Sequence, residues 1–556
     1  MSPKALTDSL SVSPQVSLAD IKRAAELGFR TIVSNRPDGE DAGQPPTAAL
    51  QAHARQFGID FIHQPVVPGQ ITDDDVEVFA TALRTARSPV LAYCRTGTRS
   101  TTLWALAQAG GAPATAILAT AANAGYDLSA LAPRIEASAA ARASQTKATQ
   151  SRAHDIVIVG GGSAGIATAA SLLKRRPDLD VVIVEPRDRH YYQPGWTMVG
   201  GGIFKSAATC RTEAEVIPQG AHWLRGTVAS FQPASNQVTL EDGTLLSYRA
   251  LVVAPGNVLD WGAIDGLSET LGGNGVTSNY SYETAPYTWE LVQSLKQGVA
   301  LFTQPPMPIK CAGAPQKAMY LSCDHWKRSG RLPDIDVAFH NAGAALFGVK
   351  EYVPPLMAYV DRYGIDLKLE SCLVSVDGPA RRATFRNAAG ESTRDFDMLH
   401  VCPPQKAPAF LAESPLADQA GYTDVDPTTL QHARYANIFG LGDGGSTPNA
   451  KTAAAARKQA PIVAVNLLSM LDGKVPVAAY DGYGSCPLTV ERGRIVLAEF
   501  GYGGTLMPSF PKWVIDGQKP QRLSWWLKGQ ALPWIYWNGM LKGHEWLVKP
   551  QPAKAA

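Results

Sequence analysis

The chain has 556 residues and a mass of 59.2 kDa, which at roughly 150 residues per domain predicts three or four structural units. Lys and Arg number 51 against 49 Asp and Glu, and a net charge of +2 gives no support to a nucleic-acid binder. Apolar residues at 45% and charged residues at 18% describe a globular chain, and seven cysteines without a CxxC pair exclude a disulfide scaffold and a zinc ribbon, so no metal is expected.

The first fifteen residues hold no apolar run and do not read as a secretory signal. No stretch of about 18 apolar residues follows, so no bilayer span is expected and the thiols should sit in a reducing cytoplasm. Residues 1–139 alternate short apolar runs (FRTIVSN, IDFIHQPV, PVLAYC) with helical patterns (LADIKRAAEL, DDDVEVFATALRTA), which predicts an α/β domain. In it, Ala92-Tyr-Cys94-Arg-Thr-Gly-Thr-Arg99-Ser100 joins a strand to a helix. A cysteine ringed by amides at a helix N-terminus is a nucleophile in an anion cradle, with Arg99 expected to grip the anion. Phosphatase loops are Cys-x5-Arg. The spacing here is Cys-x4-Arg, the size usual in rhodaneses, which suits a sulfane sulfur better than a phosphate. Arg36, Asp38 and Asp73–Asp75 are candidate partners of this loop.

Residues 140–153 (AARASQTKATQSRA) read as a linker. Residues 154–505 then open on strand, glycine turn, helix and strand. Gly160-x-Gly162-Ser163-Ala164-Gly165 follows the run Ile156–Val159, and Glu185 ends the next strand. Gly160 permits the turn, Gly162 admits a pyrophosphate, Gly165 lets helix and strand approach, and Glu185 can accept the ribose hydroxyls. Gly442-Asp443 after Ala436–Leu441 supplies a carboxylate of the kind that meets a ribityl chain, and Ala254-Pro-Gly256 is similar to the crossover turn of two-dinucleotide-domain flavoproteins. The first site is therefore predicted to bind FAD. Near residue 300, where a nicotinamide fingerprint belongs, the strand runs into prolines, which points to another electron donor. Cys311 lies there instead, between Lys310 and Lys317, in electropositive surroundings that favour a thiolate.

The last segment, 506–556, holds six of the twelve tryptophans: Trp513, Trp525, Trp526, Trp534, Trp537 and Trp546. Leu523, Trp526 and Leu527 fall on one helical face, and Trp534, Trp537 and Leu541 on another. With interleaved lysines, this is the composition of a segment lying at a membrane surface.

From about 155 to 550 the chain resembles the sulfide:quinone oxidoreductases, especially the branch with the mitochondrial enzyme. The blocks that carry the resemblance are His190-Tyr-Tyr-Gln-Pro194, Ile309–Lys317, Val425–His432, Phe439–Asp443, Ala450-Lys-Thr-Ala453, Tyr480–Leu488 and the Trp-rich tail. It implies an FAD-dependent oxidation of sulfide at a redox disulfide that includes Cys311, with sulfane sulfur held on cysteine. Electrons would pass to a quinone, and the sulfur to sulfite or a small thiol. It extends the FAD contacts to Gln193, Val228, Lys451 and Thr452, and implies peripheral attachment to the inner face of a bacterial plasma membrane. A homo-oligomer stays open. The resemblance also implies a second cysteine directly after Gly-Asp, where this chain has Gly444. Either Cys402 or Cys210 replaces it, or Cys311 works alone, or sulfide oxidation has been lost. The residues favour retained sulfur chemistry.

Residues 5–112 resemble a bacterial dual-specificity-phosphatase-like family often fused to sulfur-metabolism proteins, through Ser34–Gly39, Pro65–Gly69 and Cys94–Ser100. The joined expectation is a sulfur relay from Cys311 to Cys94. The alternative is a genuine phosphatase tethered to a flavoprotein that has lost its activity.

Overall fold

The computed structural model describes residues 2–140 and 153–552. The predicted linker falls almost wholly outside them. The chain divides into two compact units at Ser151/Arg152.

The front unit is a five-stranded sheet flanked by helices. Strands β1 (Lys4–Thr7), β2 (Leu10–Ser13), β3 (Thr31–Ser34), β4 (Asp60–His63) and β5 (Val90–Tyr93) pair in the order β1-β2-β5-β3-β4. All the neighbours are parallel except the β1–β2 hairpin. Helices α1 (Leu18–Glu26) and α3 (Asp73–Thr85) begin with capping boxes, Ser17 with Asp20 and Thr72 with Asp75; α2 (Thr47–Gln56) begins after Pro46. The central strand β5 is buried at every residue and runs straight into Cys94, with α4 (Thr98–Ala107) beginning just after and α5 (Ala114–Asn123) following it. Cys94 thus stands at the carboxyl edge of a parallel sheet, the usual place for a site in this architecture.

The back unit carries two α/β sheets. The first contains β6 (His154–Val159), β7 (Val181–Val184), β8 (Ala221–Leu224), β9 (Val228–Gln232), β10 (Gln237–Leu240) and β11 (Leu245–Val253), ordered β8-β7-β6-β11-β10-β9. The second contains β12 (Val276–Thr277), β13 (Gly298–Gln304), β14 (Ile335–Asn341), β15 (Asp366–Leu369) and β16 (Met398–His400). It is parallel throughout in the order β12-β16-β13-β14-β15. The chain then returns to the first sheet, where β17 (Ile438–Gly440) pairs with β11 in parallel. The central strands carry buried apolar runs, Ile156–Val159, Ala250–Val253, Ala300–Phe302 and Val337–Phe339, as a sheet covered on both faces requires. Helix α6 (Ser163–Arg175) covers the first sheet, and α7 (Ala314–Arg328) the second. Helix α8 (Ala453–Leu471) packs in the same core as α6.

A hairpin of β18 (Gly484–Glu491) and β19 (Arg494–Phe500) packs its apolar residues into the core around α7. The tail forms α9 (Arg522–Trp526), a wide turn over Leu527–Ala531, and α10 (Leu532–Asn538). Its second predicted face is split: Trp534 is 56% exposed, but Trp537 and Leu541 join the core. Among the described residues no helix is long and apolar enough to cross a membrane.

Candidate functional site

The glycine turn after β6 has the geometry its spacing predicts. A Cβ on Gly165 would lie 1.9 Å from the Gly160 carbonyl oxygen, so helix and strand can approach this closely only at glycine. Gly162 caps α6 without a side-chain hydrogen bond, which leaves the first-turn amides, Ser163 and Ala164 among them, without intrahelical partners. A Cβ on Gly162 would meet nothing within 4 Å. The turn is therefore an open, amide-lined cradle of the kind a dinucleotide pyrophosphate fills. Glu185 is buried and accepts from the Gly161 amide at 2.9 Å and from Arg187 Nε at 3.0 Å. Val228 lies buried at the start of β9, and Gly256 borders open space on the crossover turn.

The tail braces this cradle. Tyr536 of α10 hydrogen-bonds Ser163 Oγ and His190 Nε2, both at 2.6 Å, and His190 Nδ1 meets the Gly161 carbonyl at 3.1 Å.

The second group of residues gathers between the sheets. Asp443 follows β17, and burial raises its carboxyl against the pull of Lys451 and Lys310. Lys451 Nζ donates to the carbonyls of Asp443 and Gly445, both at 2.8 Å, while Thr452 caps α8 through Ala455 N. Lys310 donates to Gln193 Oε1 at 2.7 Å, and burial brings its ammonium down to about 8. The Cys311 amide donates to the Lys451 carbonyl at 2.8 Å, which ties the Cys311 loop to the residue that holds the Gly-Asp turn. Cys311 itself sits at φ 49°, a left-handed conformation uncommon outside glycine and costing about 1–3 kcal/mol.

Cys311 is paired. Its Sγ lies 3.4 Å from Cys486 Sγ and 3.0 Å from Lys317 Nζ. The thiol beside Cys311 is thus Cys486, and not Cys402 or Cys210, the two candidates named from the sequence. Cys402 is buried and pushed up to about 12, with its Sγ directed to the Pro403 carbonyl. Cys210 lies on a separate short strand and is also raised by burial. Cys486 comes from β18, 175 residues away. No spacing rule points to it, although it stands inside the Tyr480–Leu488 block.

The pair is electrically unequal. The Cys486 thiol hydrogen-bonds Cys311 and, with Lys317, holds Cys311 well below the usual thiol range despite burial. The same hydrogen bond and burial push Cys486 up. Lys528, from the tail, is buried nearby with Nζ 3.4 Å from the Pro487 carbonyl. Burial and the charge of Lys317 lower it to about 7. The segment predicted to lie at a membrane surface therefore also brings a buried lysine to the cysteine pair.

In the front unit, Cys94 is buried, and its Sγ accepts from the Gly97 amide at 3.2 Å. Arg99 does not reach out as expected. Its Nη1 donates to the carbonyls of Asn35 (3.0 Å) and Val66 (2.7 Å), and its Nη2 to Glu40 Oε1 (2.7 Å). Arg36 bridges Glu40 and Asp41 in the same network. Asp38 caps α2 through Thr47, Asp75 caps α3, and Asp73 pairs with Arg134. Those carboxylates serve structure.

Residues 3–111 match the model for the beta-lactamase hydrolase-like protein, phosphatase-like domain, and residues 154–286 that for pyridine nucleotide-disulphide oxidoreductase. The chain is 43% identical over 397 residues to the mitochondrial sulfide:quinone oxidoreductase of Dictyostelium discoideum, covering 71% of this chain and 87% of that one. It is 36% identical over 103 residues to the beta-lactamase hydrolase-like protein of Xylella fastidiosa, of which it spans only 24%, and 18% of this chain is matched. The X-ray structure of sulfide:quinone oxidoreductase from Aquifex aeolicus shares its fold, with a TM-score of 0.60 at 20% identity over 72% of this chain and 98% of that one. The protein is a flavin-dependent oxidoreductase with a second, phosphatase-like cysteine domain, and it belongs to the sulfide:quinone oxidoreductase family.

Proposed function

We propose that the back unit oxidises sulfide at the Cys311–Cys486 pair and delivers two electrons through FAD to a quinone. The observation that carries this reading is the 3.4 Å sulfur–sulfur approach beside Lys317, tied by one backbone hydrogen bond to Lys451, whose Nζ holds the Asp443 carbonyl. Gly160–Gly165 and Glu185 would hold the adenosine and pyrophosphate, with Asp443, Gln193, Lys451, Thr452, Ala254 and Gly256 toward the other end. Gly162→Val would fill the open cradle. The expected result is protein that folds but retains flavin at least about tenfold more weakly, read from the absorbance of bound flavin after gel filtration.

Once oxidised, the pair is a disulfide open to hydrosulfide. The thiol of lower pKa is the better leaving group, and Cys311 is that thiol. Attack therefore falls on Cys486. A bond forms between the sulfide sulfur and Cys486 Sγ, the Cys311–Cys486 bond breaks, and Cys311 departs as a thiolate beside Lys317. This polarity reverses the expectation that Cys311 carries the sulfane sulfur. Lys528, near 7, can exchange the proton that hydrogen sulfide loses. A thiolate or sulfite then removes the outer sulfur, leaving both cysteines reduced, and their return to the disulfide releases two electrons. FAD, when bound, carries those electrons to the quinone.

The exposed tail residues Trp513 (86%), Trp526 (57%) and Leu547 (85%) support a peripheral seat on a membrane that holds the quinone, with the inner face of a bacterial plasma membrane as the proposed location. The front unit receives the outer sulfur on Cys94. Cys94→Ser should leave sulfide-dependent quinone reduction unchanged and remove sulfur from the front-unit loop. Equal sulfur delivery to thiol acceptors by the variant and the unmutated protein would dismiss the relay.

A further inference from the structure

The front-unit loop has one polar neighbour that neither the sulfur relay nor the expected anion grip uses. Gly97 sits at φ 91°, and a Cβ there would lie 2.1 Å from Tyr126 Oη. The phenol therefore rests directly on the Cys94 loop, next to the amide that donates to Cys94 Sγ. The ring packs against the apolar cluster that includes Leu103 and Ile117. Burial and the nearness of Cys94 keep its proton on above the ordinary tyrosine range. Its hydroxyl is seated on the loop that holds the sulfur, within electrostatic reach of Cys94.

The carboxylates of the adjoining loop are otherwise engaged. Asp38 holds Thr47. Glu40 is shared by Arg36 and Arg99, which hold it below the usual carboxylate range despite burial. Asp41 pairs with Arg36 and Arg95. Cleaving an alkyl phosphate ester requires an acid that protonates a departing alkoxide. A thiolate, whose thiol has a pKa of about 8.5, departs without one.

We infer that Tyr126 is the hydrogen-bond donor to the outer sulfur on Cys94, at a site selective for sulfane-sulfur donors whose leaving group departs as a stable anion. The inference rests on the relay reading of the front unit. In the step, the Cys94 thiolate attacks the outer sulfur of a persulfide R–S–S⁻. The new Cys94–S bond forms as the S–S bond of the donor breaks, R–S⁻ leaves with the electron pair, and no net oxidation occurs. The negative charge on the outer sulfur is met by Tyr126 Oη–H and the Gly97 amide.

The test uses the full chain with its pre-reduced cysteines and a low-molecular-weight persulfide, glutathione persulfide, as the probe. Mass spectrometry follows the extra sulfur on the Cys94 peptide over time. Tyr126→Phe keeps the ring and its packing, and should load Cys94 about tenfold more slowly, the worth of a hydrogen bond to a charged group. Its loaded Cys94 should also lose sulfur sooner to added thiol, a readout that packing alone would not move. Gly97→Ala, which displaces the phenol, should reproduce both effects. Phosphoserine should not be hydrolysed above the Cys94→Ser background. Loading of Tyr126→Phe at the unmutated rate, or hydrolysis of phosphoserine, would overturn the inference. No sulfur on Cys94 in the unmutated protein would instead overturn the relay reading beneath it.

Discussion

Cys486→Ser should lower sulfide-dependent quinone reduction by about 10³-fold or more, because it removes one of the two sulfurs the chemistry needs. The substitution removes little volume from a buried site beside Gly313 and Leu488, so the protein should fold and keep its flavin. Cys402→Ser and Cys210→Ser should retain activity within a few-fold. Cys402 lies buried with its thiol raised to about 12, and Cys210 is on a different strand pair. Steady-state quinone reduction with the three variants side by side separates these outcomes. Full activity in Cys486→Ser would return the chain to a mechanism with Cys311 alone.

Lys317→Met should shift the pH at which Cys311 becomes nucleophilic. Lys317 Nζ donates to Cys311 Sγ at 3.0 Å, and the cation stabilises the charged form of the thiol. Removing it disfavours the thiolate, so the apparent pKa rises, by about one to three pH units for a cation at this distance. In the reduced protein, iodoacetamide should alkylate Cys311 well below the ordinary thiol range, and Lys317→Met should need correspondingly higher pH. Because a poorer leaving group slows attack on the disulfide, sulfide oxidation at neutral pH should fall about tenfold to a hundredfold. An unchanged alkylation profile would show that Lys317 does not set the polarity of the pair.

The parts of the site legible in the sequence are those built from local segments. Gly160–Gly165 and Glu185 lie in one strand–turn–helix–strand run, and Gly165 makes the close helix–strand approach its spacing predicts. Cys311 was readable because lysines and small residues surround it in sequence. Cys486 was not, because β18 reaches the Cys311 loop only when the hairpin packs on α7, and no periodicity encodes a contact across 175 residues. Lys528 was hidden for the same reason, within a tail whose tryptophan content reads as a surface. That tail divides its work. Trp526 and Trp534 face outward, while Tyr536 and Trp537 close over His190 and Tyr192. Arg99 is the converse case: its place in the motif predicts ligand binding, and its Nη groups hold the carbonyls of Asn35 and Val66 and the Glu40 carboxylate, contacts that no local pattern encodes.

The central claim is that sulfide adds to Cys486 while Cys311 leaves as the thiolate. Anaerobic exposure of the oxidised protein to sulfide, without an acceptor, followed by rapid alkylation and peptide mass spectrometry, reads this directly. The extra sulfur should appear on the Cys486 peptide, with Cys311 alkylated as a simple thiol. An extra sulfur on Cys402 or Cys210, or on Cys311 with Cys486 unmodified, would contradict the account.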